Sequence, residues 1–149
     1  MMTILKGEEM IKNVDHIGIA VKDLDTALQA YRQMYGLQAA KIEILKDIKV
    51  RIAFIPLSEV LIELLEPTEP GAGRIGQFLE EKGEGLHHIA FRVEDIQQSL
   101  KALKEGNIPL RDQEPRDGGD GSRIAFIDPG ASQNVLTELV ERKQKVEEQ

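Results

Sequence analysis

An internal repeat constrains the fold of this 149-residue chain more than any other feature. Residues 14–21 (VDHIGIAV) match residues 86–93 (LHHIAFRV), so that His88 follows His16 by 72 residues. At the same spacing, Arg51–Ile55 and Arg123–Ile127 both read RIAFI, which is five consecutive identities. A later match, between residues 62–64 and 137–139, has a spacing of 75 residues. A duplicated module of about 70 residues therefore organises the chain.

Each module is predicted to fold as strand–helix–strand–strand–strand, because runs rich in Ile and Val alternate with a helical apolar period. In both modules an Asp precedes the helix as a cap and a Gly follows it. Module one has strands at Val14–Val21, Gln38–Leu45, Lys49–Leu57 and Val60–Leu65, and a helix between Asp23 and Gly36. Module two has strands at Leu86–Val93, Ile108–Arg111, Arg123–Ile127 and Val135–Val140, and a helix between Asp95 and Gly106.

The repeat also divides the chain. We expect an N-terminal extension at 1–10 and a single domain at 11–141, followed by a charged tail at 142–149 that frays from Glu141 onward. Within the domain, module one covers about 14–66, a linking segment 67–85 and module two about 86–141. The linking segment contains a short predicted helix at Gly73–Lys82, and the three glycines of Glu114–Ser122 predict a flexible hairpin.

Composition excludes several classes of function. Nineteen Lys and Arg against 26 Asp and Glu give a net charge of −7, which disfavours a nucleic-acid partner. The absence of Cys excludes disulfides, thiolate catalysis and cysteine-bound zinc or iron–sulfur clusters. No apolar run approaches the roughly 18 residues of a membrane span, and residues 1–10 lack the apolar stretch of a signal peptide. A cytoplasmic protein with no membrane partner is expected.

Two histidines and two glutamates occupy equivalent positions in the modules. His16 and His88 lie in the first strands, while Glu63 and Glu138 interrupt otherwise apolar last strands. A lone carboxylate there is costly to bury unless it is paired or bound to a metal. A pseudo-twofold axis would bring the four side chains around one point, where they suit one divalent ion such as Co, Mn, Ni or Zn. Each histidine alone is more typical of a hydrogen-bonded structural residue, but the repeated set favours metal. His87 is expected on the opposite face.

The motifs carry a family resemblance. Residues 15–21 (DHIGIAV), 62–67 (IELLEP), 83–91 (GEGLHHIAF) and 135–139 (VLTEL) resemble the vicinal oxygen chelate superfamily, and more narrowly its methylmalonyl-CoA epimerase branch. The resemblance covers about residues 11–141. It implies an α+β fold in which paired βαβββ modules form a U-shaped mixed sheet around a metal, in a homodimer. It also implies that His16, Glu63, His88 and Glu138 are metal ligands.

The reaction implied by the resemblance is interconversion of the (R) and (S) forms of methylmalonyl-CoA. Loss of the proton at C2, between a thioester and a carboxylate, gives an enolate that a divalent metal stabilises. Glu138 is the first choice for an acid/base role in addition to ligation, and Glu63 for ligation only. Some epimerases carry a further Glu in the third strand of module one, where this chain has Ile52. Residues 128–130 read Asp-Pro-Gly where the family usually has His-Pro-Lys.

Other members of the superfamily provide alternatives. Lactoylglutathione lyase uses a similar metal set and needs cations for the glutathione carboxylates. Ring-cleaving dioxygenases bind Fe(II) with two His and one carboxylate, so a fourth ligand such as Glu63 argues against them. Non-catalytic binding proteins of this fold generally lack the metal set. The sequence therefore favours an isomerase acting on an acyl-CoA, with lactoylglutathione lyase as the second candidate.

Overall fold

The computed structural model describes residues 9–144 and 146, which form eight strands and three α-helices. The elements follow in the order β1 (Ile11–Ala20), α1 (Leu24–Tyr35), β2 (Lys41–Leu45), β3 (Val50–Leu57), β4 (Val60–Pro67), α2 (Gly73–Lys82), β5 (Gly85–Val93), α3 (Ile96–Glu105), β6 (Arg116–Asp117), β7 (Arg123–Ile127) and β8 (Thr137–Glu141). Short 3₁₀ turns occupy Lys46–Ile48, Gly119–Gly121 and Pro129–Ser132. The order contains strand–helix–strand–strand–strand twice, as the repeat predicts.

The described residues fall into two compact units. The first unit comprises residues 16–87 and 146, and the second comprises residues 9–15 and 88–144. The boundaries lie inside β1 and β5, immediately before His16 and His88 respectively. Each unit therefore contains one histidine and one glutamate of the set that the repeat singles out.

In the first unit the strands lie side by side in the order β2–β3–β4–β1. β1 runs parallel to β4, and the other pairs are antiparallel. Alternation along the strands separates two buried faces, and a helix packs on each. α1 covers the face that carries Ala53, Ile55 and Leu64, whereas α2 covers part of the face that carries Phe54 and Leu61. The sheet thus has an apolar core on both sides.

The second unit repeats this pattern, with strands in the order β5–β8–β7–β6 and β5 parallel to β8. α3 packs on the face that carries Val93, Ala125 and Leu139. The opposite face has a smaller apolar cluster that includes Ala90 and Phe126. α3 therefore covers the face opposite to the one that carries His88 and Glu138.

Two carboxylates hold the start of α1, and two hold the start of α3. The caps predicted from the sequence are confirmed, since Asp23 accepts from the Thr26 amide and Asp95 from the Gln98 amide. In addition, Glu66 accepts from the first amide of α1 at 2.7 Å, and Glu141 from the first amide of α3 at 3.1 Å. Each of these glutamates lies three residues after Glu63 or Glu138. The helix start is thereby tied to the strand that carries the candidate site residue.

The fold class and most predicted elements are confirmed, but two local predictions are wrong. Ile108–Arg111 is not a strand, because Pro109 has no amide hydrogen and only Leu110 forms a bridge, to Ile127. Instead Arg116–Asp117, inside the expected flexible hairpin, forms β6. The prediction that the chain frays from Glu141 onward is also wrong for its first two residues. Glu141 ends β8, and the Arg142 side chain is buried against Asp15. Residues 145 and 147–149 of that tail, and residues 1–8 of the expected N-terminal extension, lie outside the described part of the chain.

No helix among residues 9–144 is long and apolar enough to cross a membrane.

Candidate metal and proton-transfer site

The first unit places His16 and Glu63 side by side. In the parallel register of β1 and β4, His16 lies opposite Leu61 and Gly18 lies opposite Glu63. Residues two apart share a face of the sheet, so both site side chains emerge on one face. Because Gly18 has no side chain to fill the intervening space, His16 Nδ1 comes within 3.1 Å of Glu63 Oε2. Both residues are buried.

The second unit repeats the arrangement with His88 and Glu138. Ala90, two residues after His88, lies opposite Glu138 in the register of β5 and β8. His88 Nε2 lies 4.0 Å from Glu138 Oε2, and both residues are buried. Imidazole nitrogen and carboxylate oxygen are ligand types that a divalent cation accepts. Each unit therefore has a His/Glu group that could contribute to holding a metal.

A phenylalanine lies beside each glutamate. Phe54 is opposite Glu63 in the register of β3 and β4, and Phe126 is opposite Glu138 in the register of β7 and β8. Both rings are buried, and the ring of Phe126 meets that of His88 edge-on with 5.5 Å between centroids. Apolar neighbours limit the access of water, so electrostatic interactions of these carboxylates are screened less than in solvent.

A buried ion-pair cluster immediately precedes His16 in the chain and was not identified from the sequence. Asp15 binds Arg92 of β5, with 2.8 Å between Oδ1 and Nη2, and Arg142, with 2.9 Å between Oδ2 and Nη2. These arginines follow Asp15 by 77 and 127 residues. The only local signal is a charged residue inside an apolar strand, which indicates a partner without identifying it.

A second polar group that the sequence does not identify lies next to Phe126. Asp112 accepts a hydrogen bond from the Phe126 amide through Oδ2 at 2.9 Å, and from Arg116 Nε through Oδ1 at 3.3 Å. The Arg116 guanidinium lies over the Phe126 ring, with 5.5 Å between Cζ and the ring centroid. A half-buried cation thus stands one aromatic ring away from His88.

Two other residues considered from the sequence are not members of these His/Glu pairs. The ring of His87 meets that of Phe78 on α2, with 5.0 Å between centroids. Ile52 lies two residues before Phe54 on β3, on the face that carries Glu63, and is buried in an apolar cluster of the first unit. The structure brings His16 to Glu63 and His88 to Glu138 within their units, while a single metal shared by all four stays a prediction.

Comparison with known proteins identifies the family. Residues 15–126 match the family model of the glyoxalase/bleomycin resistance protein/dioxygenase superfamily, and the chain belongs to this superfamily. A Cereibacter sphaeroides ethylmalonyl-CoA/methylmalonyl-CoA epimerase is 35% identical over 131 residues, covering 87% of this chain and 98% of the relative. An uncharacterised Bacillus subtilis protein, YqjC, is 40% identical over 133 residues, covering 89% of this chain and 94% of that protein.

A solved structure extends the similarity to three dimensions. A variant of Streptomyces coelicolor methylmalonyl-CoA epimerase, in complex with 2-nitronate-propionyl-CoA, superposes with a TM-score of 0.85 at 35% sequence identity. The match covers 89% of this chain and 96% of the epimerase. The predicted resemblance to the epimerase branch is therefore confirmed.

Proposed function

We propose that this protein is a methylmalonyl-CoA epimerase, an isomerase that interconverts the (R) and (S) forms of its acyl-CoA substrate by moving the proton at C2. The observation that carries the proposal is the repeated His/Glu pair, buried on the equivalent face of both units. The similarity to named epimerases over nearly the whole chain supports the choice of substrate. The small-molecule partner expected from this function is an acyl-CoA substrate.

The proposed cofactor is one divalent metal ion per chain, held by His16, Glu63, His88 and Glu138. Two imidazoles and two carboxylates fit Co, Mn, Ni or Zn, and burial of both carboxylates beside phenylalanine rings is favourable when a cation balances their charge. When bound, such an ion would supply Lewis-acid stabilisation of the negative charge that develops on the thioester and carboxylate oxygens. The repeat supports the fourfold set because it supplies the same two ligand types twice.

Glu138 is the proposed acceptor of the C2 proton. Its carboxylate lies farther from its histidine than that of Glu63 does, 4.0 Å against 3.1 Å, and apolar Ala90 and Phe126 flank it in the register. A carboxylate in such surroundings can take a proton from a carbon acid and return it to a bound substrate. Glu63, closer to His16, acts as a ligand and orients the imidazole. Inversion then requires a second group that donates a proton to the opposite face of C2, because Glu138 can return its own proton only to the face from which it came.

The test of this function is exchange of the C2 proton of methylmalonyl-CoA with deuterated solvent. Wash-in of deuterium at C2, together with interconversion of the two stereoisomers, is expected from the protein with determined metal content. Turnover of the glutathione–methylglyoxal hemithioacetal without any exchange would instead identify a lactoylglutathione lyase. Binding of acyl-CoA with neither reaction would identify a non-catalytic member of the superfamily.

A homodimer is the proposed assembly. β2 is the outer strand of the first unit, and Ile42 and Ile44 on it are 44% and 54% exposed. Outer strands with apolar side chains are commonly covered by another chain or by a second copy. The family resemblance favours the second copy.

A further inference from the structure

Arg116 shares a sheet face with the candidate site residues of the second unit. The antiparallel register places Arg116 of β6 opposite Ile124 of β7. Phe126, two residues after Ile124 on β7, lies opposite Glu138 of β8. Residues opposite each other, and residues two apart, point to the same side of a sheet. The side chain of Arg116 therefore emerges on the face that carries Glu138. Ala90 lies opposite Glu138 and two residues after His88, so the same face also carries His88.

The guanidinium is held there by contacts on two sides. Asp112 accepts from Nε, and the face of Phe126 lies beneath the planar group. Gly118, two residues further along, lets the chain after β6 pack closely against β7, because a Cβ there would lie 2.6 Å from Ile124 Cγ2 and 2.7 Å from Ser122 Oγ. Arg116 is thus positioned rather than extended freely into solvent, and one third of its side chain is exposed.

Arg116 also has hydrogen-bond donors to spare on this face. Arg92 and Arg142 are both bound to Asp15. For Arg116, the contacts with described residues involve Nε and the ring face, and no described residue accepts from its two terminal amino groups. Those two groups form the side of the guanidinium that binds a carboxylate through two parallel hydrogen bonds.

The repeat does not supply a second such cation. The position opposite Ile52 in the first unit, which corresponds to Arg116 opposite Ile124, is occupied by Glu43. Glu43 lies 3.4 Å from Lys41 through its carboxylate. A feature that departs from the duplication at a position on the site face points to recognition of one end of an unsymmetrical ligand.

We infer that Arg116 binds the free carboxylate of the acyl group and so selects dicarboxylic acyl-CoA thioesters over monocarboxylic ones. This inference rests on the proposed function. The carboxylate belongs to the reacting end of the substrate, and only one aromatic ring separates Arg116 from His88. A single positioned arginine also fits one carboxylate better than the two of a glutathione adduct. Asp112 acts as the positioning residue for this guanidinium.

The experiment compares Arg116→Met with Arg111→Met in the metal-loaded protein. Arg111 is an exposed arginine of the same unit, so its variant removes the same charge and leaves the contacts of Arg116 with Asp112 and Phe126 in place. For Arg116→Met we expect the Kd of methylmalonyl-CoA to rise by about 10- to 100-fold, the size of a lost charge-assisted hydrogen bond. The Kd of propionyl-CoA, which lacks the free carboxylate, should stay unchanged. Arg116→Lys keeps the charge but lacks the two parallel N–H donors of the guanidinium, so it should recover part of the lost affinity.

Methylmalonyl-pantetheine has the carboxylate but no nucleotide phosphates, so it tests whether Arg116 binds the acyl carboxylate or a phosphate of CoA. The same loss of affinity with this compound supports the inference. A loss that is equal for propionyl-CoA and absent for methylmalonyl-pantetheine overturns it, because Arg116 would then bind a phosphate. Equal affinities of the Arg116→Met and Arg111→Met variants for methylmalonyl-CoA also overturn it. If the wild-type protein binds methylmalonyl-CoA through Arg116 but exchanges no C2 proton, the proposed function fails while the binding inference stands.

Discussion

The Asp15 carboxylate lies 2.9 Å from the Arg142 guanidinium, 127 residues later in the chain, and the two side chains are 0% and 2% exposed. Arg92 binds the same carboxylate. One buried anion on β1 thus joins Arg92 of β5 and Arg142, the residue after β8. Removing one member of such a cluster leaves the others as uncompensated buried charge.

Asp15→Asn should therefore lower the free energy of unfolding by about 3–5 kcal/mol, the range for breaking a buried ion pair. Urea denaturation, with the slope of the transition compared between variants, measures the loss. Asp117→Asn is the matched control. Asp117 is 2.7 Å from Arg123, but its side chain is 91% exposed, so removal of that ion pair should cost less than about 1 kcal/mol. Equal losses for the two variants would contradict a special role for Asp15.

The N-terminus of α1 should give a small acid-dependent contribution to stability. The hydrogen bond from the Thr26 amide holds the pKa of Asp23 below its ordinary value of 3.8. A carboxyl group whose pKa is lowered by folding stabilises the protein above its unfolded pKa, and that contribution is lost as the pH falls through the folded pKa. Asp23→Asn keeps an acceptor but cannot titrate. The Tm difference between wild type and Asp23→Asn should therefore be present at pH 6 and shrink below pH 3.8. A difference that is constant with pH would refute this.

The local elements could be predicted because their signals are local. Asp23 and Gly36 define α1, since the first is a side-chain cap and the second adopts the left-handed conformation that ends the helix, with φ of 70°. Both ends of α2 and of β7 coincide with the predicted ranges. The repeat adds long-range information as well, because equivalent residues must occupy equivalent places in the two units. It was the repeat, and not any single motif, that paired each histidine with a glutamate.

The parts that could not be predicted depend on contacts distant in sequence. β6 has only two residues and forms because Arg116 and Asp117 meet β7 across a glycine-rich turn. Asp15 has its partners 77 and 127 residues away, and no periodicity identifies them. Arg116 carries no repeat signal, since the repeat has an acid at the corresponding register position. Each of these features requires the register of the sheet, which a hydrophobic pattern does not specify.

Metal content provides the next prediction. One equivalent of divalent metal per chain is expected, and both His16→Ala and His88→Ala should lower the occupancy by at least about tenfold at limiting metal, since each removes one ligand of the proposed set. Elemental analysis after dialysis measures occupancy, and a cobalt-substituted form should show mixed nitrogen and oxygen ligation. His87→Ala is the control, because that ring contacts Phe78 instead. Full occupancy in either the His16 or the His88 variant would rule out the proposed ligand set.

The assembly is tested by sedimentation at micromolar concentration. We expect a species of twice the 16.7 kDa chain mass. Ile44→Glu places a charge on the exposed outer strand β2 and should shift the species toward the monomer if the dimer forms along that strand. A wild-type monomer under these conditions would contradict the homodimer, and an unchanged dimer in the variant would place the interface elsewhere.

Substitution of the two glutamates separates ligation from proton transfer. Gln keeps an oxygen that can bind a metal but has no basic carboxylate, so Glu138→Gln should lower C2 deuterium exchange more than it lowers metal occupancy. General acid–base groups typically contribute about 100- to 10,000-fold, and a loss of this size is expected at matched metal content. Glu63→Gln is the matched control, because it makes the same change at the equivalent position of the first unit, and its effect should be milder. The two rates are compared after the metal content of each variant has been measured. Small and equal losses would remove Glu138 as the base, whereas a loss that follows metal occupancy alone would leave it as a ligand only.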